Sequence, residues 1–192
     1  MRLASTLLLF LVFVACERQP AEQRAPDPPA LGDQPKGDFK VEAWPVRQEY
    51  PGFGSQLWEY CVPYQPDMNK VLAELKDREF KAGRFHGSEL KPKNFDAAIR
   101  NADAAGTRSI IDIEKVSPTR DLGAISAAPP DKLKALFGTD KPSRAMIENA
   151  SKKMQHEFLV FLETYDRGEG VYIIIYDGQR PSEVYIAGWS YH

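Results

Sequence analysis

Two runs rich in apolar and aromatic residues, 171–176 and 184–191, are separated by a turn containing Asp177-Gly178 and Pro181. Asp-Gly between alternating runs is the strongest short-range hairpin signal, because the tight turn it favours needs positive φ at both central residues. The spacing therefore predicts an antiparallel pair of strands. A lone hairpin is marginal in water, so the rest of the chain must supply strands and helices to cover it. Residues 57–62 (Leu-Trp-Glu-Tyr-Cys-Val), ended by Pro63, predict one more strand. Residues 107–116, with Ile110, Ile111 and Ile113, predict another.

Helical periodicity fills the intervals. Met68, Val71, Leu72 and Leu75 recur at helical spacing with Lys70, Glu74, Lys76 and Asp77 opposite, so a helix is predicted over 67–82, capped by Asp67 and stopped by Gly83. Residues 87–93 read as a polar loop, and 95–105 as a shorter helix closed by Gly106. A long loop over 118–130 leads to a short helix, 131–137, ended by Gly138. Ser143 begins the longest predicted helix, where Met146, Ile147, Ala150, Met154, Phe158, Phe161, Leu162 and Tyr165 form one stripe before Gly168 and Gly170 end it. Residues 39–50 read as irregular or as an edge strand, because Pro45 interrupts the alternation of Phe39, Val41 and Ala43. A crossover through helices from 57–62 to 107–116 favours parallel pairing of those two strands. The sum is an α+β domain with a mixed sheet of about four strands, helices packed mainly on one face, and a C-terminal hairpin.

The first 38 residues stand apart. Arg2 is followed by an apolar run over 3–14, and Phe13-Val14-Ala15-Cys16 has the form read by lipoprotein signal peptidase, with small Ala15 before the cut and Phe13 where Leu is usual. A spanning helix needs about 20 apolar residues, but charge returns at Glu17 and Arg18. The expectation is a signal peptide over 1–15 and acylation of Cys16, whose several chains anchor the protein to the bilayer as one chain cannot. Glu17 stands where Asp would retain a lipoprotein at the inner membrane, which points to the outer membrane and its periplasmic face. Residues 16–38 carry prolines at 20, 26, 28, 29 and 35 and few large apolar groups, the composition of a disordered tether. They lack a clean spaced pair of prolines with a flanking arginine in the right place for a recognition-domain ligand. The globular domain is then expected over 39–192.

A net charge of −2 and a pI near 6.0 lack the basic excess of a nucleic-acid binder. With Cys16 acylated, Cys61 has no partner for a disulfide. Cys61 reads as a small buried hydrophobe; a nucleophile would need a lowered pKa, and no neighbouring residue in the sequence supplies one. His86, His156 and His192 show no zinc spacing. Gly138-Thr-Asp-Lys-Pro and Gly168-Glu-Gly170 do not follow phosphate-cradle spacing and read as helix stops. No metal or cofactor is expected.

Two constellations remain. Asp112 and Glu114 would share one face of the predicted strand, where paired carboxylates can bind a cation or share a proton, or lie solvated or paired with Arg108. In the hairpin, Tyr172 and Tyr176 share one face of the first strand, and Tyr185, Trp189 and Tyr191 one face of the second. If the faces coincide, the result is an aromatic stripe, ordinary core under helices or a partner-binding surface if left open.

Three stretches together, Tyr60-Cys61-Val62-Pro63-Tyr64 with the helix after it to Arg84, Gly106-Thr107-Arg108-Ser109-Ile110-Ile111-Asp112, and Gly168-Glu169-Gly170-Val171-Tyr172-Ile173 through Ala187-Gly188-Trp189-Ser190-Tyr191, resemble a family of small, uncharacterised bacterial proteins. The likeness covers 57–191 and implies one domain, to which this chain adds an anchor; it implies no activity. The function expected is a membrane-anchored, non-enzymatic protein-interaction module of the cell envelope, an immunity-type lipoprotein being one version. The partners expected are the bilayer and a protein, not nucleic acid. The alternative is a small envelope hydrolase or transferase using Asp112, Glu114, Arg108 or Cys61.

Overall fold

The structure, a computed structural model, describes residues 57–102, 106–152 and 156–190, all within the unit Asp38–His192. The leader, Cys16, the tether, the 39–50 stretch, Met154, Tyr191 and His192 lie outside the described residues. Strands β1 (Leu57–Pro63), β2 (Lys115–Ser117), β3 (Ala124–Ala127), β4 (Gly170–Asp177) and β5 (Arg180–Trp189) form one sheet in the order β1-β5-β4-β3-β2. β5 runs antiparallel to both of its neighbours, while β4, β3 and β2 are parallel. Helices α1 (Met68–Lys81), α2 (Phe95–Ala102), α3 (Pro130–Phe137), α4 (Arg144–Lys152) and α5 (His156–Glu163) complete an α+β domain.

Alternation along the strands makes two cores. Leu57 and Cys61 of β1, Tyr185 and Ala187 of β5, and Val171, Ile173 and Ile175 of β4 pack with Leu133 of α3, Ile147 and Ala150 of α4 and Phe158, Phe161 and Leu162 of α5. From the other face Trp58, Tyr60 and Val62, Val184 and Ile186, and Ile125 of β3 meet Val71, Leu72 and Leu75 of α1 together with Ile110 and Ile113. Each large side chain taken fully out of water contributes about 1.5–3 kcal/mol, so neither face could be left bare. The helices lie mainly on one face, as expected: α3, α4 and α5 cover it, while α1 covers the other.

Three local expectations also change. Residues 107–116 form no single strand; a 3₁₀ turn, Ile110–Asp112, precedes the short β2. The i,i+3 spacing of such a turn sends Ile110 and Ile113 to the α1 core while Ile111 packs with Phe85 and Ala98. The loop expected over 118–130 contains β3, which brings the sheet to five strands where about four were expected. β1 and β2, expected to pair, stand at opposite edges of the sheet, although the chain of pairings leaves them running the same way.

Other signals act as read. Asp67 Oδ1 accepts from the amides of Asn69 (2.9 Å) and Lys70 (3.3 Å), capping α1. Gly138 ends α3 at φ +73°. Of the single helix expected from Ser143 to 165, two helices are described: Ile147 and Ala150 of α4 and Phe158, Phe161 and Leu162 of α5 are buried, as is Tyr165 just beyond α5, while Met146 is exposed. Among the described residues no helix is long and apolar enough to cross a membrane.

Candidate functional site

The residues expected to carry chemistry are divided between the two faces. On the α1 side, Arg108 takes a left-handed backbone (φ +54°) and Ser109 accepts from the Ile111 amide at 3.2 Å, which turns the chain so that Asp112 faces back on its own loop. Both Asp112 oxygens accept from the Thr107 amide, at 2.9 and 3.0 Å. Burial raises this carboxyl, while hydrogen bonds from Thr107 and the Arg108 backbone and the charge of Lys76 act in the opposite sense. Asp112 therefore fills the anion site its own loop creates. Glu114 is exposed beside Gly123. The shared strand face expected for the two carboxylates does not form, because Asp112 ends a 3₁₀ turn. Arg108 supplies backbone, not an ion pair; its side chain is half-buried, with Nε enclosed and without a hydrogen-bond partner among the described residues.

Lys76 belongs to this group although the sequence did not single it out. Its ammonium donates to the Ile113 carbonyl and stands 5.4 Å from the Phe95 ring centre. Burial lowers it, against the raising effects of Glu114, Asp112 and Asp96. Committed to a carbonyl, Lys76 ties α1 to the loop.

Cys61 lies on the opposite face, beneath α4. It is 4% exposed, and burial, then the neighbouring Glu183, push its thiol up to about 12. Around it runs a polar seam. Arg144 of α4 donates to Glu148 (2.8 Å) and to Glu183 of β5 (2.6 Å). At the other end of α4, Ser151 donates to Glu59 Oε1 at 2.7 Å, and Tyr185 donates to the same oxygen. Neither Glu59 nor Ser151 carries a sequence motif; the seam exists because β1 and β5 pair and α4 crosses them. Among the described residues no group of three or more His, Cys, Asp or Glu could hold a metal.

The aromatic residues of the hairpin also separate. Tyr172 pairs with Ile186, and Tyr185 with Ile173, so Tyr172 and Tyr185 occupy opposite faces and the two aromatic sets form no common stripe. Tyr185 is wholly buried, and Trp189 packs on the same core with Nε1 donating to the Leu162 carbonyl at 2.9 Å. Along β4 the faces alternate: Val171, Ile173 and Ile175 are buried, while Tyr172, Ile174 and Tyr176 are half-buried. Tyr64, just beyond β1 and also half-buried, belongs to the same neighbourhood. Burial first, then Tyr64, raise the phenols of both Tyr172 and Tyr176, and Asp140 adds to the effect at Tyr176. Lys141 stands 5.6 Å from the Tyr176 ring centre.

Beside this shelf lies a cleft of about 190 Å³ between β1 and α1, walled by Val62, Pro63, Val71 and Leu75, with Gln65, Glu74 and Arg78 at its polar side. Its residues Pro63 and Gln65 flank Tyr64 in the chain. Behind it Glu79, 2% exposed, is held by Arg78 at 2.9 Å and Arg84 at 2.7 Å, so that its charge is matched within the fold.

No family model matches this chain, and neither a curated protein nor a solved structure matches it. The resemblance carried by the three stretches named above gains no support from these comparisons.

Proposed function

We propose that the protein is a bacterial lipoprotein, anchored through acylated Cys16 at the periplasmic face of the outer membrane, that acts as a non-enzymatic protein-interaction module, an immunity-type role being its most concrete form. The observation that carries the interaction reading is the half-buried shelf of Tyr64, Tyr172, Ile174 and Tyr176 beside an apolar cleft. Tyrosine is enriched in interfaces because its ring supplies contact area while its hydroxyl bonds a partner. A neighbouring pocket can take one anchoring side chain. Lys141, Asp140 and Gln179 give the edge of the shelf polar groups. For the anchor, the support is the apolar run ending at Ala15-Cys16 and the proline-bearing stretch after it.

The catalytic alternative needs its carriers in one open pocket. Cys61 is buried under α4, Asp112 is engaged by its own loop amides, and Glu114 faces solvent on the other side of the sheet, so it is not the reading adopted.

The test compares proteins crosslinked in living cells to the full lipoprotein and to a Tyr172→Ala/Tyr176→Ala variant. One envelope protein recovered with the first and lost with the second, together with impaired competition of a deletion strain against kin, supports the reading. Recovery of the same proteins by both chains, or wild-type competition of the deletion strain, contradicts it.

A further inference from the structure

Helix α4 meets the sheet through polar groups at both ends, an unusual way to join a helix to a core. At its first turn the link is ionic, from Arg144 to Glu148 on the same helix and to Glu183 on β5. At its last turn Ser151 reaches Glu59 on β1, whose accepting oxygen also takes the Tyr185 hydroxyl from β5. Between these ends the apolar contribution of α4 to this core is Ile147 and Ala150.

The geometry at Glu59 distinguishes its two charge states. Both hydroxyls converge on Oε1, so a proton can sit on Oε2 without breaking either bond. Ionised, the same carboxyl holds a negative charge in a site 5% exposed. Among the described residues, the ionisable and polar groups facing the seam are Cys61 from its own strand, Tyr185 and Glu183 from β5, and Arg144, Glu148 and Ser151 from α4. Arg144 is already engaged by Glu148 and Glu183. Burial raises the Glu59 carboxyl, and the hydrogen bonds from Tyr185 and Ser151 act in the opposite sense.

We propose that Glu59 is a proton-operated clasp for α4: while its carboxyl is neutral the helix is held on β1 and β5, and ionisation loosens the helix and uncovers Cys61. This inference is independent of the tyrosine shelf. Because burial raises Glu59, the closed state binds the proton more tightly than the open state. The advantage of the closed state is full below the ordinary carboxylate range and shrinks as pH rises, by up to about tenfold per pH unit, until the closed-state carboxyl has itself ionised.

The test is amide hydrogen exchange on the full chain in detergent from about pH 5 to about pH 9, corrected for intrinsic rates. Protection of α4 is expected to fall with rising pH and then level off, while α3, packed on the same face through Leu133, holds steady. Glu59→Gln keeps an acceptor for both hydroxyls and is expected to abolish the slope. Ser151→Ala withdraws a donor from the ionised form and is expected to carry the decline to higher pH. A pH-independent α4, an unchanged slope in Glu59→Gln, an unshifted decline in Ser151→Ala, or an α3 that declines in parallel each overturns the proposal.

Discussion

The indole of Trp58 occupies the space in which a side chain on Gly188 would begin: a Cβ there would stand 2.3 Å from the ring. The two residues are register partners of β1 and β5, and a Cβ on Gly170 of β4, itself paired with Gly188, would stand 2.8 Å from the same ring. Gly188→Ala is therefore expected to lower stability by about 1–3 kcal/mol, the usual cost of overpacking, measured by urea unfolding with tryptophan fluorescence. Pairing it with Trp58→Leu should recover part of the loss. Simple addition of the two penalties would mean that the ring does not fill the glycine slot.

Asp112 and Glu114 should behave as unrelated residues. Asp112→Ala leaves the buried Thr107 amide without its acceptor, at a cost of about 1–3 kcal/mol. Glu114→Ala, at an exposed position, should stay within about 0.5 kcal/mol of the parent. Thermal unfolding of the two single variants and the double variant checks this. Equal effects, or strong coupling between them, would restore the paired-carboxylate reading.

While α4 covers it, the thiol of Cys61 should be unreactive. With its titration pushed up to about 12 by burial, it stays neutral through the ordinary thiol range, so alkylation should be slower than in urea by about an order of magnitude or more. The native rate should keep climbing with pH past the point where a free cysteine levels off. Rapid labelling at neutral pH that saturates early would show an activated thiol.

Asp67→Ala removes the acceptor for two amides at the start of α1 and should cost about 0.5–2 kcal/mol. Asp67→Ser should recover most of it. Chemical denaturation of the three chains decides whether the cap holds the helix.

What could be read in advance was what is local. Asp67 caps amides two and three residues on, Gly83 and Gly138 act through their own backbone, and Asp177-Gly178 joins two long strands, so the α+β class, the hairpin and most helix limits follow from neighbouring residues. β3 was hidden because it offers one large apolar side chain, Ile125, in four residues; it is a strand because β2 and β4 lie on either side of it. The turn over 107–113 was hidden by its three isoleucines, which suit a strand equally well until Ser109 and Asp112 accept the loop amides. The aromatic faces depend on the pairing of Tyr172 with Ile186 and on a register shift at Ile175/Tyr176, neither visible in the order of residues. The Glu59 seam and the Lys76 tie are long-range by nature, joining β1 to α4 and α1 to a distant carbonyl.

Everything proposed for the cell envelope depends on the first residues of the mature chain. The most direct measurement is the mass of the N-terminal peptide of the protein extracted from its native membrane. A peptide beginning at Cys16 and carrying acyl chains is the predicted result. A peptide beginning at Met1, or an unmodified Cys16, would contradict the account.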